Sequence, residues 1–227
     1  MKLIYEGKTK NVFDNDDGTY TLKLKDTATG KDGVFDPGEN KVGLTIDGLG
    51  LESLKLTKYF FELLSKEGVP THYISSDIEA CEMKVKPAAL FGKGLEFICR
   101  LKADGSFIKR FGSYASHKDE LDRLVEATLK DDERNDPPVN RDILEALNIM
   151  DADQFIYCKY LTKKAAKIIA EHLLEKSIEL FDIKFEFGKV GEGGEISLID
   201  EISGGCMRAY KDGKIIPPLE LTKLILN

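Results

Sequence analysis

The sequence has few cysteines and no long apolar run. The cysteines are Cys81, Cys99, Cys158 and Cys206, which lie far apart without a C-x-x-C pair, so neither a disulfide framework nor a structural zinc site is indicated. No stretch approaches the roughly 20 apolar residues that a membrane-spanning helix needs, and residues 1–7 reach charged and turn residues too early for a secretory signal. We therefore expect a cytoplasmic protein with reduced thiols and no membrane partner.

An excess of positive charge is also missing. The chain carries 33 Lys and Arg against 40 Asp and Glu, a net charge of −7, whereas a nucleic-acid-binding protein usually has a basic surface. The sequence suggests no Ser-His-Asp or Cys-His group, because His72 and His117 have no evident partners and His172 lies on the apolar face of a predicted helix. We expect small-molecule substrates, no nucleic acid, and one large domain or two small ones in these 227 residues.

The first fifty residues have the patterns of strands and loops. Residues 3–5 and 11–13 flank a Gly-Lys-Thr-Lys segment and predict a hairpin. Residues 19–25 alternate between apolar and polar side chains, as a half-buried strand does. Residues 26–50 are rich in glycine and have little periodicity, which predicts a long functional loop.

Helical patterns become common after residue 50. An apolar stripe predicts a helix with Ser53 as its cap and Gly68 at its end. Further helices are predicted near 117–129 and 141–148, and the longest from about 161 to 181. Strands are predicted at 81–87, 94–102, 183–190 and 195–202. Because strands dominate the first hundred residues and helices the middle, we predict an α+β fold.

Three segments could bind phosphate, although each has a plain structural alternative. Gly7 allows a ligand to approach the backbone closely, and Lys8 and Lys10 share one face of a predicted strand, but a solvated edge strand has the same pattern. Residues 100–112 combine arginines and a serine around glycine, which suits an anion or a basic surface turn. The charge run at 130–138 is typical of a solvated loop.

The most informative stretch is the pair of strands predicted between residues 181 and 202. Asp182, Lys184 and Glu186 alternate, so they project from one face of a strand, and Asp200 and Glu201 return on the next strand. The opposite face carries Ile183, Phe185 and Phe187. Carboxylates gathered on one face repel one another unless a divalent cation and a polyphosphate lie between them. The alternative is an exposed face with cross-strand ion pairs of little energetic value.

Six short motifs follow one another in an order that resembles the SAICAR synthetase family, from Leu3 to about Tyr210. They are Tyr5-Glu6-Gly7-Lys8-Thr9-Lys10, Lys25-Asp26-Thr27-Ala28-Thr29, Gly105-Ser106 with Lys109-Arg110, Leu129-Lys130-Asp131-Asp132 leading to Asp136-Pro137, Asp182-Ile183-Lys184-Phe185-Glu186-Phe187-Gly188, and Asp200-Glu201-Ile202-Ser203. Each motif is modest alone, and their shared order carries the resemblance.

The resemblance implies a reaction and an architecture. The reaction joins L-aspartate to the carboxylate of carboxyaminoimidazole ribonucleotide through an acyl phosphate, with ATP and Mg, in de novo purine biosynthesis. The implied fold is an N-terminal antiparallel β-sheet lobe, residues 1–87, which resembles the small lobe of a kinase. It packs on a larger α+β C-terminal lobe, residues 88–227, with ATP in the cleft between them. A homo-oligomer, such as a dimer, is also implied.

The motifs carry the family's functional residues onto this chain position by position. Those implied to bind ATP are Gly7, Lys8, Lys10, Lys130, Glu186 and Asp200. Those implied to bind the ribotide are Arg100, Ser106, Lys184 and Arg208. The implied catalytic residues are Lys184 and Asp182, and the implied metal ligands are Asp182, Glu186 and Asp200.

Two other functions remain open at the level of the sequence. One is a phosphotransferase that uses the same ATP site, and the other is an inactive nucleotide-binding homologue. The second arises because Gly204-Gly205 follow Ser203, where the family usually has Pro-Asp. For the ligase, we expect residues 30–50 to form a lid that closes over the substrates and excludes water.

Overall fold

The computed structural model describes residues 1–31, 33–35 and 41–226. The helices in these ranges are α1 (Leu49–Lys66), α2 (Gly105–Phe111), α3 (Arg141–Ala146), α4 (Ala152–Leu174) and α5 (Pro218–Leu226). The strands are β1 (Lys2–Glu6), β2 (Lys10–Asp14), β3 (Tyr20–Leu24), β4 (Thr27–Lys31), β5 (Val34–Phe35), β6 (Val42–Thr45), β7 (Tyr73–Asp77), β8 (Glu82–Val85), β9 (Ala88–Leu90), β10 (Leu95–Lys102), β11 (Glu120–Leu129), β12 (Pro138–Val139), β13 (Glu179–Val190), β14 (Glu195–Ile199), β15 (Met207–Lys211) and β16 (Lys214–Ile215). Within the described ranges, every helix is too short or too polar to cross a membrane.

Five antiparallel strands form the N-terminal sheet, in the order β1-β2-β3-β8-β7. β2 pairs with both β1 and β3, so the hairpin and the strand predicted in residues 1–25 are confirmed. Leu22 and Leu24 on β3 and Met83 on β8 are buried and belong to the hydrophobic core. The apolar side of this sheet therefore packs against α1, which contacts β3.

The larger sheet follows the path β12-β11-β10-β13-β15-β16, and β9 and β14 also pair with β13. Its central strand, β13, buries the predicted apolar side chains Ile183, Phe185 and Phe187. α4 packs on β13 and β10 and supplies much of the remaining core. The charged face of β13 is therefore the face that remains available to line a cavity.

The chain crosses from one sheet to the other after β8. β8 ends at Val85 and β9 begins at Ala88, where it pairs with β13. A second link is the isolated parallel bridge between Thr71 and Leu198 of β14, and a third is the packing of α5 on α1. The prediction of an α+β fold, with an N-terminal antiparallel sheet packed on a larger α+β part, is confirmed.

The region predicted as a long loop contains regular structure. β4 and β6 pair antiparallel, with Ala28 opposite Leu44. α1 begins at Leu49, four residues before the predicted cap, because the left-handed Gly48 (φ 79°) is its N-cap; Ser53 is instead buried inside the helix. Of the proposed lid, residues 32 and 36–40 lie outside the described residues.

Two helix predictions were wrong in position or type. Most of the helix predicted at 117–129 is the strand β11, because pairing with β10 places Val125 opposite Cys99 and overrides local preference. The longest helix runs from Ala152 to Leu174 rather than from 161 to 181, because Asp151 and Gln154 form a capping box at its start. The short helix α2 was not predicted.

Candidate active site

Two adjoining cavities lie along the charged face of β13. The larger has a volume of about 710 Å³, and the smaller, which lies under the β1–β2 turn, has a volume of about 130 Å³. The residues that line both cavities are Glu96, Asp132, Asp136, Lys184 and Cys206. A ligand in one cavity can therefore meet a ligand in the other beside Lys184.

Cations and buried carboxylates alternate in the smaller cavity. Lys10 on β2 forms an ion pair with Asp200 and lies 3.9 Å from an oxygen of Glu201. The Nζ atom of Lys130 lies 2.7 Å from Oε1 of Glu186. These pairs join the N-terminal sheet, the loop after β11 and the charged face of β13 at one place.

Burial and neighbouring charge set the protonation of these groups. Burial, together with the negative charge of Asp200, raises the pKa of Glu186 to about 7. Burial alone would raise the pKa of Asp200 and lower that of Lys10, but their mutual attraction dominates: the pKa of Asp200 falls below its ordinary value and that of Lys10 rises above its own. Two carboxylates held beside each other in this way suit a cation between them.

The β1–β2 turn covers the smaller cavity from above. Lys8 at this turn reaches across to Asp132, with 2.7 Å between Nζ and Oδ1. Lys25 donates a hydrogen bond to the Gly7 carbonyl oxygen at 2.9 Å. A Cβ atom on Gly7 would lie 2.9 Å from the carbonyl oxygen of Lys10, so the tight turn requires glycine at this position.

Arginines surround a buried carboxylate in the larger cavity. Arg100 on β10 donates to Asp182 Oδ2 at 3.0 Å and to the Ser106 hydroxyl at 2.8 Å. Arg208 on β15 donates to both Asp182 oxygens, at 3.1 and 3.0 Å. Burial raises the pKa of Asp182 despite the two guanidinium groups, and these bonds orient both arginines toward the cavity.

Glu126 and Gly105 help to position this arginine pair. Glu126 on β11 forms an ion pair with Arg100 and accepts hydrogen bonds from Arg110 at 2.7 and 2.8 Å. Gly105 begins α2 with φ +51°, and a Cβ atom there would lie 2.5 Å from Cζ of Arg208. The absence of a side chain at residue 105 therefore gives the Arg208 guanidinium its position.

Lys184 lies where the two cavities meet. Its Nζ atom is 2.7 Å from Oε1 of Glu96, and the other Glu96 oxygen accepts from the Thr128 hydroxyl at 3.1 Å. Burial lowers the pKa of Lys184, but Glu96 and Glu186 outweigh burial and raise it above the ordinary value. Lys184 is thus a fixed cation and not a base at physiological pH.

All of the residues implied by the resemblance line the two cavities, and they fall into two groups. The smaller cavity holds Gly7, Lys8, Lys10, Lys130, Glu186 and Asp200. The larger holds Arg100, Ser106, Asp182 and Arg208, and Lys184 lines both.

The structure places one of the three implied metal ligands, Asp182, apart from the other two. Asp182 lies four residues from Glu186 on β13, which is about 13 Å along a strand, and its oxygens accept from Arg100 and Arg208. Asp182 therefore lies with the two arginines and apart from Glu186 and Asp200. Within residues 1–31, 33–35 and 41–226, no three His, Cys, Asp or Glu side chains are gathered as a metal site.

Sequence reasoning missed the residues that position the others. Glu96 was missed. It lies four residues before the predicted Arg100 on β10, a spacing that places both side chains on one face of the strand and could have indicated Glu96. Glu126 was missed because residues 117–129 were predicted to form a helix, whereas they contain the strand β11. His72, described as without a partner, is 4% exposed, and its Nε2 atom lies 3.2 Å from the carbonyl oxygen of Asp200, a contact that no local pattern predicts.

Comparison with known proteins agrees with this geometry. A SAICAR synthetase family profile matches residues 3–217. The chain is 56% identical over 227 residues to the phosphoribosylaminoimidazole-succinocarboxamide synthase of Clostridium tetani (strain Massachusetts / E88), with 100% of both chains covered. A solved SAICAR synthetase (Type-2) in complex with ADP is 30% identical, with a TM-score of 0.82 over 93% of this chain and 86% of that chain. The phosphoribosylaminoimidazole-succinocarboxamide synthase from Ehrlichia chaffeensis is 27% identical, with a TM-score of 0.83 over 94% of this chain and 88% of that chain. This chain therefore belongs to the SAICAR synthetase family.

Proposed function

We propose that this protein uses ATP to join L-aspartate to the carboxylate of carboxyaminoimidazole ribonucleotide, a step of de novo purine biosynthesis. The observation that carries the proposal is the meeting of two cavities of different chemistry at Lys184. Family membership favours this ligase over a phosphotransferase or an inactive homologue. The solved relative in complex with ADP supports the use of ATP.

ATP binds with its phosphates in the smaller cavity. The Gly7 turn lets the backbone approach the phosphates, and Lys8, Lys10 and Lys130 supply positive charge. Glu186 and Asp200 would hold Mg²⁺, because this ion commonly takes one or two protein carboxylates and completes its shell with phosphate oxygens and water. A bound Mg²⁺ would neutralise charge on the ATP phosphates.

The ribotide binds in the larger cavity, whose volume of about 710 Å³ lies within the usual range for small-molecule sites. Arg100, Ser106 and Arg208 bind its phosphate and its carboxylate, because guanidinium groups form paired hydrogen bonds with both. Asp182 keeps the two arginines oriented by accepting a hydrogen bond from each. This role explains why a carboxylate lies among groups that bind anions.

The reaction takes place beside Lys184. A carboxylate oxygen of the ribotide attacks the γ-phosphorus of ATP, ADP leaves, and an acyl phosphate forms. The aspartate amine then attacks the acyl carbon, phosphate leaves, and the nitrogen loses a proton to give the amide. The Lys184 ammonium group stabilises negative charge on the transferred phosphoryl group. Positioning supplies most of the catalysis, so a nucleophilic Ser or Cys is not needed.

The two sheets divide the chain into two lobes. Residues 1–87 form the nucleotide lobe and residues 88–227 the substrate lobe, since the chain changes sheets between β8 and β9.

The apolar side chains of Ile156 and Tyr160 on α4 are both 56% exposed, and they favour a homodimer. The protein acts in the cytoplasm. Sedimentation equilibrium of the purified protein tests the dimer.

Release of ADP tests the proposed reaction. ADP formation is measured with ATP and Mg²⁺ alone, with aspartate or the carboxylated ribotide added singly, and with both. We expect turnover only when both are present, together with the appearance of the succinocarboxamide. Equal ADP formation without aspartate would favour a phosphotransferase or a simple ATPase, and ATP binding without turnover would favour the inactive homologue.

A further inference from the structure

The backbone of Asp200 has a conformation that its surroundings must hold. Asp200 follows the end of β14 with φ 71°, in the left-handed region that residues other than glycine rarely adopt. Such a conformation persists where neighbouring contacts fix it, and these positions cluster at functional sites. The direction of the Asp200 side chain, and with it the ion pair to Lys10, depends on this conformation.

His72 contacts the backbone of Asp200 directly. Its Nε2 atom lies 3.2 Å from the carbonyl oxygen of Asp200, and because a carbonyl oxygen only accepts, Nε2 carries the proton and donates it. The ring is 4% exposed and meets Phe61 edge-on, with 5.6 Å between centroids. A buried donor aimed at a single backbone oxygen is well placed to hold that oxygen still.

The backbone around His72 is itself held in place. The His72 amide donates to the Leu198 carbonyl at 2.9 Å, and the Lys86 amide donates to the His72 carbonyl at 2.8 Å. Thr71 forms the parallel bridge to Leu198. The histidine is thus anchored beside the end of β14 and also to Lys86, the residue that follows β8 of the N-terminal sheet, which is the sheet that supplies Lys10.

We propose that His72 is a positioning residue for nucleotide binding, which acts by holding the Asp200 carbonyl so that the Asp200 carboxylate faces Lys10 and Glu186. His72 is absent from the described linings of both cavities, so it acts through Asp200 and not by touching the nucleotide. The inference rests on the proposed function of the smaller cavity. A buried histidine outside the described lining of the larger cavity thus has a role that is specific to ATP.

Thr57 provides a matched control in the same segment. Its hydroxyl is buried and lies 3.3 Å from both the carbonyl oxygen and the amide of Ile202, two residues after Asp200. Thr57→Val removes those hydrogen bonds and keeps the shape of the side chain. It therefore loosens the same stretch of chain without releasing the Asp200 carbonyl.

Calorimetric titration of the full-length protein with ADP and Mg²⁺, and separately with the ribotide, tests the proposal. We expect His72→Leu to weaken ADP binding about fivefold to tenfold, as the loss of one buried hydrogen bond allows, and to leave ribotide binding unchanged. His72→Gln retains an N–H at a similar distance from the backbone and should restore ADP binding to within about threefold of wild type. If His72→Leu does not fold, His72→Gln is compared with the shorter His72→Asn, which should fail to restore binding.

Three results on ADP binding would overturn the proposal while leaving the proposed function intact. These are ADP binding by His72→Leu equal to that of wild type, an equal loss in His72→Gln, and an equal selective loss of ADP binding in Thr57→Val. A loss of ribotide binding as large as the loss of ADP binding would also overturn it, since it would show general loosening. If the wild-type protein does not bind ADP, both the proposed function and the role of His72 fall.

Discussion

The ammonium group of Lys184 donates a hydrogen bond to the Glu96 carboxylate, with 2.7 Å between Nζ and Oε1. Both side chains line both cavities, and the two strands that carry them, β10 and β13, pair with Glu96 opposite Glu186. A cation fixed at the junction of two cavities can meet a group transferred from one to the other. This position is the reason why the transfer of the phosphoryl group is proposed to take place beside Lys184.

We predict that Lys184→Ala lowers kcat at least about tenfold, because a preorganised positive charge is lost where negative charge develops. The KM for ATP should change less, since Lys8, Lys10 and Lys130 remain. Steady-state kinetics with saturating aspartate measures both constants. The control is Lys189→Ala on the same strand, whose Nζ atom lies over the Phe91 ring at 5.1 Å. Near-normal turnover by Lys184→Ala would contradict the role proposed for Lys184.

Gly105→Ala should weaken ribotide binding selectively. The new Cβ atom would lie 2.5 Å from Cζ of Arg208, so the guanidinium must move away from Asp182, and φ +51° adds backbone strain. We expect about a tenfold loss of ribotide affinity, typical of one charged hydrogen bond, with ADP affinity unchanged. Gly193→Ala is the matched control, because no atom lies within 4 Å of its Cβ position. Equal ribotide affinity in the two variants would show that residue 105 does not set the position of Arg208.

Three of the four thiols, those of Cys99, Cys158 and Cys206, should react slowly in the folded protein. Burial raises the pKa of Cys206 to about 12, and it does the same for Cys99 and Cys158. Because the thiolate is the reactive form, a higher pKa leaves little of it at pH 8. For these three thiols, we expect negligible labelling by iodoacetamide at pH 8 in the folded protein and full labelling in urea. Mass spectrometry measures the labelling at each cysteine. Rapid native labelling of Cys206, which lines both cavities, would be inconsistent with a thiol whose raised pKa keeps it neutral.

Residues 30–50 should become protected from proteolysis when all substrates are bound. Gly30 and Lys41 line the larger cavity and Phe35 lines the smaller, so this region faces both ligands. Limited trypsin digestion with a nonhydrolysable ATP analogue, aspartate and the ribotide measures the effect, with cleavage elsewhere in the chain as the internal control. An unchanged rate of cleavage within 30–50 would argue against a lid.

Some of the site was predictable from local pattern. The alternation of Asp182, Lys184 and Glu186 with apolar residues predicted both faces of β13, because side chains of a strand alternate strictly. The N-terminal hairpin was predictable for a similar reason, since Gly7 marks a turn between two apolar runs. These features depend on neighbours in sequence.

The rest depends on contacts between distant segments. Residues 120–129 become a strand because β10 offers an edge to pair with, and a single sequence does not show that edge. Asp182 shared a pattern with Glu186, yet Arg100 and Arg208, brought by β10 and β15, decide what it binds. His72 has no local signal at all, because its partner lies 128 residues away.

The most direct test of the central claim follows oxygen from the ribotide carboxylate. The carboxylate is labelled with ¹⁸O, and the phosphate released in a single turnover with ATP and aspartate is analysed by mass spectrometry. Because an acyl phosphate breaks between the acyl carbon and the bridging oxygen, we predict that one labelled oxygen appears in each phosphate released. Phosphate without the label, released alongside ADP, would contradict transfer through an acyl phosphate at Lys184.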